Sequence, residues 1–80
     1  MFIEFDNFET FLNTISKVKA IKFYRITQMK LTNLIECYAQ TAKNTYYISL
    51  CCDDEEAERT IDILDSLGFT RVSAIRTWEG

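Results

Sequence analysis

The amino-acid sequence predicts an α+β fold in one small domain, with elements in the order α-β-β-β-α-β and an antiparallel-rich sheet carrying two helices packed on one face. Three observations predict it. Residues 8–18 repeat apolar side chains with the period of a helix. Residues 53–69 carry start and stop signals of a second helix. Between the two lie stretches rich in β-branched and aromatic residues. The 80 residues are 48% hydrophobic and 14% aromatic, with no proline and two glycines, a composition outside the disordered classes. A chain this short buries only about 60–65% of its unfolded surface, so residues 1–80 are expected to share one dense core.

The first element spans Asp6 to Val18. Phe8, Phe11, Leu12, Ile15 and Val18 fall on one face, with Glu9, Asn13, Ser16 and Lys17 elsewhere. Asp6 is expected to cap it, with Glu9 reaching back, and Lys17 and Lys19 sit where the helix dipole favours cations. "AIKFYRITQ", residues 20–28, interleaves charges with β-branched and aromatic side chains, as a half-buried strand does.

Residues 31–39 fit two patterns. Leu31, Leu34, Ile35 and Tyr38 match a helical face, whereas Ile35, Cys37 and Ala39 alternate as in a strand. The strand is preferred because "AKNT" makes a tight connection into "TYYISLCC", giving a hairpin from about Leu34 to Cys51. Asp53 then has the short acceptor side chain of a helix cap, and Glu56 completes a capping box. Asp54, Glu55 and Glu56 fill the first turn, where unsatisfied N–H groups favour negative charge. Ala57, Ile61 and Leu64, with Thr60, Ile63 and Leu67, form the expected buried face. Gly68 is placed as the left-handed stop, with Phe69 pressed on Leu64. "FTRVSAIRTW" follows as a final strand. The strand, helix, Gly-Phe, strand segment resembles half of the split βαβ unit of ferredoxin-like folds; the resemblance covers about 35 residues and implies nothing about activity.

Several functions are disfavoured by residue content. There is no histidine, which removes Ser-His, Cys-His and His-metal arrangements, and Gly68 and Gly80 cannot make a phosphate-cradling loop. Cys51 and Cys52 are adjacent on a strand and point to opposite faces, so they cannot easily share an ion, and Cys37 adds no C-x-x-C spacing. An odd, scattered set of three cysteines is expected to stay reduced. The chain is therefore expected to be non-enzymatic and to use no cofactor or metal. Glu4, Asp6 and Glu9 interrupt the N-terminal apolar residues, no leader pattern is visible, and no apolar run approaches a membrane span, so a soluble cytoplasmic protein is expected.

Charge is uneven. Residues 1–50 hold six Lys/Arg and four Asp/Glu, while residues 51–80 hold three and eight. Glu55, Glu58, Asp62 and Asp65 recur on one side of the second helix. The last two lie towards its C-terminal half, where the dipole disfavours them by a few tenths of a kcal/mol, on the order of 0.3 each. A solvated face is the commonest reason for such a stripe; the functional one is contact with a basic groove on a larger protein, such as a nucleic-acid-binding protein. The tyrosine pairs supply apolar contacts, with Tyr24, Tyr46 and Tyr47 as candidates. These features suit a protein-binding module acting as inhibitor or adaptor, the profile of a phage or mobile-element protein that blocks a host or defence factor. One alternative is a single-stranded nucleic-acid binder using Phe23, Tyr24, Tyr38, Tyr46, Tyr47 and Trp78 with Lys22, Arg25 and Lys30. The other is a homodimer paired through a strand edge or sheet face.

Overall fold

The computed structural model describes residues 1–72. The elements are β1 (Phe2–Phe5), α1 (Phe8–Ile15), β2 (Ile21–Gln28), β3 (Asn33–Gln40), β4 (Thr45–Cys52), α2 (Asp54–Ser66) and β5 (Thr70–Arg71). They build an α+β domain around one five-stranded mixed sheet of order β1-β4-β3-β2-β5. The central pairs β2/β3 and β3/β4 are antiparallel; the outer pairs β1/β4 and β2/β5 are parallel.

Two connections fix the side on which the helices lie. The chain leaves β1, crosses two strands and returns as β2 in the same direction; it leaves β4, crosses two strands and returns as β5. Both crossovers run the same way along the sheet, so the right-handed rule places α1 and α2 on one face. The buried residues agree. Phe11 and Ile15 from α1, and Ala57 and Leu64 from α2, cluster with Tyr24, Ile35, Cys37, Ala39, Tyr46, Ile48 and Cys52, all from one parity of the strands.

The expected elements need four corrections. β1 is a strand that the sequence conceals, because four residues give only two periods of alternation: Ile3 and Phe5 turn towards the core while Phe2 and Glu4 stay exposed. It is held by partners distant in sequence. Thr45 N–H donates to the Met1 carbonyl at 2.8 Å, and the N-terminal ammonium donates to the Lys43 carbonyl at 2.6 Å. Second, Asn7 and not Asp6 caps α1. The helix starts at Phe8, so Asn7 is the extended residue flanking it, and its Oδ1 accepts from Thr10 N–H at 2.9 Å. Third, α1 ends at Ile15, so Lys17 and Lys19 lie beyond its last turn. Fourth, Ile63 and Leu67 are exposed, and the buried stripe of α2 narrows to Ala57 and Leu64, flanked by half-buried Thr60 and Ile61.

The remaining elements form as read. Residues 33–40 are strand, and Thr41 closes the turn to β4 by donating its N–H to the Asn44 carbonyl at 2.8 Å. Gly68 has φ +87°, a conformation that costs a side-chain-bearing residue about 1 kcal/mol. Phe69 N–H donates to the Leu64 carbonyl and Gly68 N–H to the Asp65 carbonyl, the paired bonds of a Schellman stop. The final strand is described only at Thr70–Arg71; residues 73–80, and Trp78 with them, lie outside the described residues. Among the described residues no helix is long and apolar enough to cross a membrane.

Candidate interaction surfaces

The outer face of α2 is the first surface. Its carboxylates divide by what they touch. Asp53 Oδ1 accepts from Glu56 N–H at 2.8 Å, and Glu56 Oε1 accepts from Asp53 N–H at 3.3 Å, so this pair holds the helix start. Asp54 accepts from the Nδ2 of Asn33 at 2.8 Å, which satisfies a buried amide at the first position of β3. Asp65 accepts the hydroxyl of Tyr24 at 2.9 Å. Tyr24 is 1% exposed, and its pKa is pushed up to about 12 by burial first and by this carboxylate second. Asp65 is thus explained from within the fold, because it gives the one polar atom of a core aromatic a partner.

Glu55, Glu58 and Asp62 are left. All three are exposed, and none has a side-chain hydrogen bond or ion pair among the described residues. Their spacing sets them in line along the solvent side of the helix. Arg59, the cation of α2, lines a groove of about 490 Å³ with Phe8, Leu50, Cys52 and Ile63.

The second surface is the sheet face without a described helix. Register places Phe23, Tyr38 and Tyr47 side by side across β2, β3 and β4. Phe23 and Tyr38 stack with ring centroids 5.1 Å apart and planes 7° from parallel. Tyr38 and Tyr47 are 4.9 Å apart, and Phe2, from the neighbouring row, lies 5.5 Å from Tyr47. One residue row further along, Arg25 Nε and Nη2 donate to Glu36 Oε1 at 3.1 and 2.5 Å, while Tyr47 donates its hydroxyl to Glu36 Oε2 at 3.1 Å. Glu36 raises the pKa of Arg25, and burial followed by the influence of Glu36 pushes the Tyr47 phenol up to about 12. This ion pair is the sole one among the described residues.

The structure therefore sorts the candidates. Glu55, Glu58 and Asp62 share one exposed stripe, and Asp65 adjoins it while serving Tyr24. Of the three candidate tyrosines, Tyr24, Tyr46 and Tyr47, only Tyr47 reaches the open face, beside Tyr38. Tyr24 and Tyr46 are 1% and 8% exposed and belong to the core, because strand parity sends them beneath the helices, so neither is available to a partner. The cations proposed for a nucleic-acid face are dispersed: Lys22 projects to the helix side, its Nζ 5.9 Å from the Phe69 ring centroid, and Arg25 is committed to Glu36. Cys37 and Cys52 are buried and Cys51 is exposed; burial pushes the Cys37 thiol up to about 12, which keeps it protonated.

Sequence reasoning passed over Glu36, Asn33, Phe2 and Ile21. Glu36 sits directly across from Arg25. The single acid of β3 and the two bases of β2, Lys22 and Arg25, were the available signal, but pairing register is needed to show which of the two meets Glu36. Searched against protein-family models, curated proteins and solved structures, the chain matches none of them.

Proposed function

We propose that this chain is a small, non-enzymatic protein-binding module that occupies a basic surface on a larger partner, as inhibitor or adaptor, through the outer face of α2. One observation carries it: after every other α2 carboxylate is accounted for by the fold, Glu55, Glu58 and Asp62 remain aligned, exposed and without side-chain partners among the described residues. Their mutual repulsion costs the free protein a little stability, and a cationic groove on a partner relieves it. A groove that otherwise holds phosphates, as in a nucleic-acid-binding protein, has the matching chemistry, and the stripe then competes with phosphate for it. Direct binding of nucleic acid by this chain is supported less, since the open sheet face lacks an uncommitted cation of its own among the described strand residues.

The test is retention of partner protein from nuclease-treated lysate of the native host by the tagged chain, compared with a Glu55→Lys/Glu58→Lys/Asp62→Lys variant. All three sites are exposed, so the variant keeps its fold to within about 0.5 kcal/mol per site. Stoichiometric partner held by the wild type in a salt-sensitive way and lost by the variant is expected. Equal retention by both removes the acidic face from the function.

A further inference from the structure

We infer that the open face of the sheet is a self-association surface, on which two copies of this chain pack face to face about a two-fold axis running along the strands between β3 and β4. The inference does not depend on the role of α2, which lies on the opposite side.

Three features of that face point to a second copy. The first is its charge. Arg25 and Glu36 neutralise each other, and Tyr47 takes the remaining oxygen of Glu36, so the centre of the face holds no unanswered charge. The helix side is the reverse: two copies meeting there would set Glu55, Glu58 and Asp62 against themselves. Of these two surfaces, the open face is the one whose centre meets its own image without repulsion; the exposed carboxylate of Glu4 stands at its β1 edge, opposite Phe23 of the other copy.

The second is relief. Register aligns Phe2, Thr45, Gln40 and Ile21 in one row across β1, β4, β3 and β2. Its ends carry large exposed apolar side chains, Phe2 at 59% and Ile21 at 72%, and its middle carries smaller polar ones. With strands about 4.8 Å apart, these knobs stand about 14 Å from each other. A two-fold axis between β3 and β4 exchanges β1 with β2, so Phe2 of each copy falls opposite Ile21 of the other. The same operation sets Tyr47 against Tyr38. A self-complementary pattern of this kind is what an isologous interface requires.

The third is area. Four strands about 4.8 Å apart, β1 of four residues and β2, β3 and β4 of eight each, at about 3.3 Å per residue give a flat footprint of about 450 Å² per copy. Side-chain relief brings a pair to roughly 1,000 Å² in total, the lower bound of specific interfaces, and sheets packed this way align within about 30°. The dimer is therefore a weak one that forms with rising concentration. It leaves both acidic α2 faces pointing outward, related by the same axis.

Sedimentation equilibrium of the full chain, from about 1 to about 200 μM, reads the result. The mass is expected to rise from 9.4 kDa to twice that value. Ile21→Lys and Phe2→Glu, each at an exposed site, are expected to weaken association by about tenfold or more, with circular dichroism showing the fold retained. The double variant Phe2→Glu/Ile21→Lys sets opposite charges across the axis and is expected to regain association, while Glu58→Lys leaves it unchanged. A wild-type chain that stays at 9.4 kDa throughout overturns the inference. So does a dimer indifferent to Ile21→Lys and Phe2→Glu, a double variant no better than the singles, or a dimer broken by Glu58→Lys.

Discussion

The two faces of this sheet carry aromatic residues at adjacent positions in the chain and put them to different use. Beneath the helices, Tyr24 and Tyr46 are enclosed with Phe11, Ile35, Ile48 and Leu64, and the Tyr24 hydroxyl finds Asp65. On the other side, Phe23, Tyr38 and Tyr47 stack against one another, and the Tyr47 hydroxyl meets Glu36, which also holds Arg25. One face derives its stability from closure by other elements. The other is held by cross-strand pairs within the sheet itself, each worth about 0.2–1 kcal/mol. A side chain's contribution here follows from the face on which it sits more than from its type.

The largest expected effect compares neighbours on β3. Ile35 is fully buried under the helices, and Leu34 is half-buried on the open face. Ile35→Ala should cost about 3–4 kcal/mol in urea unfolding, and Leu34→Ala about 1 kcal/mol, because only the first leaves a cavity enclosed on all sides. Equal losses would mean that the open face is closed in solution and would break the comparison.

A smaller effect separates the two bonded tyrosines. Tyr24→Phe removes a hydroxyl from the core and should cost about 1 kcal/mol, whereas Tyr47→Phe should cost about 0.5 kcal/mol because Glu36 keeps Arg25. Both phenols are raised from 10.0 to about 12 in the folded protein. A raised folded pKa means that the neutral form is favoured in the fold, so this stability is fully present below pH 10. It is lost as pH climbs from 10 towards 12, because the unfolded chain ionises first. Phenolate absorbance during an alkaline titration should rise together with unfolding in the wild type. Each Tyr→Phe variant should lose part of that late-titrating signal. Tyrosines that all titrate near 10 without unfolding would show that neither face holds its phenol.

How much was legible depends on the range of the signal. α2 was readable to the residue at its start, because Asp53, Glu56, Gly68 and Phe69 act on atoms a few positions away. The β3–β4 hairpin was readable from a tight connection between two stretches of strand-forming residues. β1 was not, since four residues offer little periodicity and their pairing partner lies more than forty positions on. The acidic stripe was visible as spacing. That Asp65 serves Tyr24 and that Asp54 serves Asn33 could not be seen, because those contacts span 41 and 21 positions.

By itself, then, the sequence determined the class of fold, both helices in outline, and, on α2, the capping chemistry and the line of carboxylates. Each follows from interactions within a turn or two of the chain, where spacing alone sets geometry. Only the tertiary structure decided the strand order, the mixed directions, the parity that buried Tyr24 and Tyr46 while turning out Phe23 and Tyr47, and the meeting of Arg25 with Glu36. Those depend on register between distant segments, and a shift of one residue would reverse every side chain in a strand.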